Sequence, residues 1–227
     1  MFGFQLLLRS ILPFLFACAL TPSLSAQELS TSVPSAPNAT CPIMGKKVSA
    51  PLFVDTPSGR IWLCCKPCIK KVLADVPTAH KTAYPVITEH ANTVCPVTGT
   101  AIGAHAERLT LQGHSFQVCC SECAAKARTD SQPTLAKLLD TKLQEVGNTT
   151  CPIRGTAVAS NAFVVIGEHI VRLADAKAAD EAAKAPAATL AKAQALAKAQ
   201  PPQPKHEPKA APKQEPAKPA ETPKEAK

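Results

Sequence analysis

The sequence predicts a tandem of small α+β modules, each stabilised by a metal ion, with a disordered Ala/Lys/Pro-rich C-terminal tail. Three observations carry that expectation. A Cys-Pro-x-x-Gly motif occurs three times at near-constant spacing. Two of the copies are completed by a Cys-Cys-x-x-Cys cluster. Each repeat is also only about 50 residues long, too short to fill a sufficient apolar core without a metal or disulfides.

The N-terminal element is a targeting segment. Residues 1–26 combine Arg9, an apolar run from Ile11 to Leu20 and the small residues Ser23-Leu-Ser-Ala26, the make-up of a secretory signal cleaved near Ser25 or Ala26. The run falls short of the roughly 20 residues a spanning helix needs. Export to a periplasmic or extracellular location is expected. A lipoprotein anchored through Cys18, in the box Leu15-Phe-Ala-Cys18, is the alternative.

The repeats follow. Thr40-Cys41-Pro-Ile-Met-Gly45 returns as Val94-Cys95-Pro-Val-Thr-Gly99 and as Thr150-Cys151-Pro-Ile-Arg-Gly155, with starts 54 and 56 residues apart. In each, Cys-Pro-x-x-Gly reads as a tight turn, its glycine supplying a backbone conformation that a Cβ resists. Pro57-Ser58-Gly59 and Gln112-Gly113 read as hairpin turns between short strands. Helices are predicted over Ile69–Asp75 and Ala124–Arg128, limited by Pro77 and by the polar run before Pro133, with a further helix over Leu135–Val146. The units are bounded at 38–90 and 92–146. A degenerate third unit, 148–174, keeps a knuckle and a hairpin around Gly167 but has no cluster, so it is not expected to bind metal. From residue 175 to 227 the chain is Ala, Lys, Pro, Glu and Gln, read as a disordered low-complexity tail in which residues 176–199 form at most a transient Ala-rich helix.

The cysteines carry the chemistry. With a helix starting near the cluster, Cys64 and Cys68 share a face with Cβ atoms roughly 5–6 Å apart, within reach of one ion at about 2.3 Å from each thiolate. A helix N-terminus lowers thiol pKa, and Pro67 suits a first turn. Cys41 closes the site from the knuckle, and Cys95, Cys119 and Cys123 repeat the arrangement. Cys65 and Cys120 stand open between a further ligand and a small buried hydrophobe. The candidate metal set is therefore Cys41, Cys64, Cys65, Cys68, Cys95, Cys119, Cys120 and Cys123, for about two ions per chain. Thiolates favour Zn(II) or Cu(I) over magnesium or calcium. His80, His90, His105 and His114 fall in or near loops and share no position between units, so they are not expected to be ligands. Met44, Trp62 and Phe116 are expected to pack.

A cysteine, a gap of 22 or 23 residues and then Cys-x-x-x-Cys resembles the YHS/TRASH-type heavy-metal-binding domains. The resemblance covers residues 38–140 well and 148–172 partly, and it implies small treble-clef-like units: knuckle, β-hairpin, short helix. It also implies storage, delivery or sequestration of the ion, with a metal transporter or another envelope protein as partner. The aromatic residue such domains place before the cluster is here Leu63 or Val118.

Charge adds little. The chain carries a net +8, but lysines only modestly outnumber acids in the tail. No specific nucleic-acid partner is expected, and the tail could touch cell wall or a membrane surface. No Ser/His/Asp arrangement, phosphate loop or paired carboxylates suggests an enzyme. Two rival readings stand beside metal binding. One is an envelope protein stapled by structural disulfides. The other is a thiol–disulfide redox protein using Cys65-Lys-Pro-Cys68, although these units lack room for a thioredoxin-type domain.

Overall fold

A computed structural model describes residues 37–49 and 52–200. The segment expected to be a secretory signal, Cys18 and the tail beyond residue 200 lie outside the described residues. The first unit contains an antiparallel hairpin, β1 (Phe53–Thr56) and β2 (Gly59–Trp62), then helices α1 (Pro67–Ala74) and α2 (Val76–Ala83). The second unit contains β3 (Thr88–Glu89), β4 (Glu107–Leu111), β5 (His114–Val118), α3 (Ser121–Thr129) and α4 (Ser131–Leu139). The third repeats this order with β6 (Gln144–Glu145), β7 (Phe163–Ile166), β8 (His169–Arg172), α5 (Lys177–Lys184) and α6 (Pro186–Lys198). The mixed α+β character and the hairpin turns agree with the sequence.

The hairpins form where β-branched and aromatic residues flank a two-residue turn. Gln112 and Gly113 both adopt positive φ, +49° and +77°, which closes β4 onto β5 with Leu111 opposite His114. In the later units a two-residue linker strand adds in parallel to the second hairpin strand, giving the orders β3-β5-β4 and β6-β8-β7.

Each unit ends in a pair of helices, where the sequence led us to expect one in the first unit and two in the second. Pro77 does not merely stop α1; it lies in the first turn of α2, where a missing N–H costs nothing, and Asp75 caps that turn by accepting from Thr78 N–H at 3.2 Å. Pro133 sits likewise in the first turn of α4. The helix expected over 135–146 is corrected accordingly: α4 starts at Ser131 and ends at Leu139, and Gln144-Glu145 is strand β6.

A larger correction concerns the tail. Residues 177–198 are not disordered chain but helices α5 and α6, folded onto the third unit. Ala178, Ala182 and Ala193 are fully buried in one cluster with Val164, Ile166, Val171 and Leu173. Alanine has little to bury, but it lets a helix approach a sheet closely and loses no rotamer entropy in doing so. The third unit thus extends well past the boundary at residue 174.

Successive units pack against one another. Gln112 is buried at the first junction, where its Oε1 accepts from the backbone N–H of Arg60 at 2.9 Å and from Gln132 Nε2. At the second junction Ala136 and Leu143 meet Phe163, Val165 and Ile170. The third hairpin is therefore apolar on both faces, with all four residues of β7 buried.

One tie recurs in every copy. Asn38, Asn92 and Asn148 each stand three residues before the knuckle cysteine. Each side-chain amide donates to a knuckle carbonyl and to a carbonyl of the second hairpin strand, while its oxygen accepts from that strand. In the third copy the partners are Thr150 O at 2.9 Å, Arg172 O at 2.8 Å and Arg172 N–H at 3.1 Å. Removing such a buried hub strands backbone groups of the hairpin and knuckle, and losing a buried hydrogen-bond partner costs about 1–3 kcal/mol. Asn148→Ala is expected to lower the stability of the third unit by about 2–3 kcal/mol. Thermal melting of the metal-loaded protein checks this, and an unchanged transition would contradict it.

Candidate metal centre

Each knuckle presents its cysteine through the same backbone pattern. Cys41 N–H donates to Lys46 O and accepts, through its carbonyl, from Gly45 N–H, both at 2.8 Å; Cys95 and Cys151 repeat the two bonds. Gly45 turns the chain at φ +66° with open space around it, so the need for glycine there is conformational and not steric. On the opposite side β2 delivers Cys64 directly after Leu63, and the first turn of α1 delivers Cys68. In the second unit β5 and α3 deliver Cys119 and Cys123.

These elements bring three sulfurs together twice. The thiol sulfurs of Cys41, Cys64 and Cys68 all lie within 4.8 Å of one another, and so do those of Cys95, Cys119 and Cys123. The Cys64–Cys68 separation is 4.0 Å and the Cys119–Cys123 separation 3.4 Å. Thiolates at about 2.3 Å from a tetrahedral ion stand about 3.7 Å apart, so the Cys64–Cys68 and Cys119–Cys123 pairs are spaced as ligands of one ion. All nine cysteines among the described residues are free thiols.

The remaining candidates lie outside the triads. Cys65 has its sulfur 3.1 Å from that of Cys68, and Cys120 lies 3.9 Å from Cys119. His80 lies within α2, not in a loop, and His114 opens β5 directly after the Gln112-Gly113 turn; the His90 and His114 rings contact each other at 2.9 Å. Phe116 and Trp62 pack as expected, whereas Met44 is 49% exposed because the knuckle turns it outward.

The electrostatics differ from the expectation that a helix N-terminus lowers every cluster thiol. Burial pushes Cys41 up, but backbone N–H groups of Cys64, Ile43 and Met44 and the Cys64 thiol donate to it and bring it down to about 7. Hydrogen bonds from the Cys68 thiol and backbone lower Cys65. Cys64 and Cys68 are raised, first by burial and then by their thiol neighbours. Burial, the Cys119 thiol and the nearby Cys95 charge raise Cys123. Crowded thiols keep their protons until a cation displaces them, so binding a metal here releases protons and weakens as pH falls.

The third copy shows what replaces a triad. Its hairpin register places Ala174, Asp175 and Ala178 where Cys64, Cys65 and Cys68 stand in the first. Cys151 remains fully buried and its sulfur accepts from Arg154 N–H at 3.4 Å. Arg154, at the position of Met44 and Thr98, pairs with Asp175 at 3.3 Å and Glu181 at 2.7 Å. Asp175 also caps α5 through Ala178 N–H at 2.7 Å. The recurrent asparagines and this arginine-for-ion exchange do not follow from the cysteine, proline and glycine positions that define the repeat. The asparagine three residues before each knuckle was the available signal.

No protein-family model matches the chain, and comparison with curated proteins and with solved structures gives no match. Among the described residues no helix is long and apolar enough to cross a membrane.

Proposed function

We propose that this chain is an exported binding protein for heavy-metal ions, Zn(II) or Cu(I), holding one ion in each of its first two units in the manner of YHS/TRASH-type domains. The observation that carries the reading is the pair of three-thiol sets, each within 4.8 Å and each assembled from a knuckle and a hairpin–helix junction. Soft sulfur donors select these ions, and the N-terminal segment supports export. The role is storage, delivery or sequestration of the ion, not catalysis, with a transporter or envelope protein as the other party.

Metal counting on the reduced mature chain tests it. Two equivalents are expected by elemental analysis. Cys68→Ser and Cys123→Ser should each remove about one equivalent, since two thiols do not complete a thiolate site. Cys151→Ser should leave the count unchanged. A count near one in the parent protein would mean a shared site and would overturn the assignment. A second reading, thiol–disulfide exchange, is favoured only by the 3.1 Å approach of Cys65 to Cys68; a chain that holds no metal yet cycles that pair would bear it out instead.

A further inference from the structure

The two triads differ in what covers them. In the second unit Cys95, Cys119, Cys120 and Cys123 are all buried, and Leu135 and Leu138 of α4 pack into the same cluster. The Thr98 hydroxyl lies 3.6 Å from the Cys119 sulfur. At the matching positions the first unit has His80, Ala83 and the exposed Met44. Cys64 and Cys65 there are only partly buried. Cys65, outside the triad, nevertheless holds its sulfur 3.1 Å from Cys68.

Charge separates the units as well. Lys46 and Lys47 follow the first knuckle, and Lys66, Lys70 and Lys71 surround the first cluster in sequence, all exposed. The second unit has Thr100, Ala101, Ser121, Ala125 and Lys126 at those places. Four of five positive charges are missing from the better-covered site.

Building on the two-triad metal reading, we infer that the first unit is an exchange site and the second a retaining site. Ions enter and leave the first triad through Cys65, to and from an anionic, thiol-bearing carrier that the lysines attract. The step is ligand substitution. One ion–sulfur bond forms to the carrier thiolate as one to Cys64 or Cys68 breaks, with Cys65 holding the ion in between. No electrons are exchanged, and the proton released by the carrier thiol is balanced by the one taken up by the freed cysteine. Access and nucleophile position govern such thiolate exchange, and surface charge raises encounter rates with an oppositely charged partner.

The test uses the full mature chain loaded with cadmium, whose thiolate absorbance reports bound ion, challenged with the anionic dithiol dimercaptosuccinate. Ion loss should occur in two phases of equal amplitude, the fast one about tenfold or more ahead of the slow. Cys65→Ser should still load two ions but slow the fast phase by about tenfold. Lys66→Glu with Lys70→Glu should slow release to dimercaptosuccinate and leave release to neutral dithiothreitol unchanged. A single phase overturns the inference, as does a fast phase that survives Cys65→Ser or disappears in Cys95→Ser. A Cys65→Ser chain that loads only one ion makes Cys65 a permanent ligand and overturns it too. A parent chain that takes up no ion overturns the metal reading itself, and this inference with it.

Discussion

Chelation under reducing conditions is expected to unfold the first two units and spare the third. In the first two, the shared interior is built around three thiols, and an ion held there is worth on the order of 10–16 kcal/mol in comparably small structural sites. That is comparable to the whole stability of an ordinary domain, about 5–15 kcal/mol. The third unit has no such site, and its Arg154 ion pairs are partly exposed and worth little. What it has instead is apolar packing: Val164, Ile166, Val171 and Leu173 against three buried alanines. Amide hydrogen exchange before and after chelation checks the prediction. Protection should vanish over residues 38–139 and persist over 148–198. Full protection in the first two units after verified metal removal would contradict it.

Asp130→Ala should be the most damaging single change outside the cysteines. This carboxylate ends α3, accepts from Asn161 N–H at 2.7 Å and pairs with the largely buried Arg172. One guanidinium nitrogen of Arg172 already lacks a protein partner. Taking away the anion strips a largely buried cation of its direct ion-pair partner, with only the more distant charge of Glu145 beside it, a loss of about 3–5 kcal/mol. Denaturant melts of the metal-loaded protein should show it. Adding Arg172→Met should recover much of the loss, because the stranded charge goes with it. If the double variant were as unstable as the single one, the cost would lie in the Asn161 contact and not in the ion pair.

What was legible in the sequence was whatever a special residue type marks. Cysteine, proline and glycine located the knuckles, and Gln112-Gly113 the second hairpin turn. The sulfur triads followed from the spacing, because a strand end and a first helical turn naturally face the knuckle. Alanine was misread, since composition measures how much apolar surface a residue carries and not how closely its backbone can pack. Pro77 was read as a stop although a proline is equally at home in a first turn. The thiol acidities were illegible because they depend on which neighbour donates to which sulfur. The junction residues Gln112, Gln132 and Asp130 are polar, and nothing in a linear pattern tells a buried polar contact from a solvated one.

The linker strands have a mechanical consequence. Tyr84, just past α2, donates its hydroxyl back to Arg60 O at 2.7 Å, and by residue 88 the chain is already bonded to Gly113 O. Between the second and third units, Leu143 N–H donates to Asp140 O at 3.2 Å and Gln144 N–H to Glu168 O at 2.8 Å. The connections therefore hold almost no slack. Tension applied to the two ends of the folded region would not first draw out a loose tether. It would load β3 against β5 and β6 against β8 in shear, across ladders only two residues long. The units would part at those seams before any knuckle was pulled open.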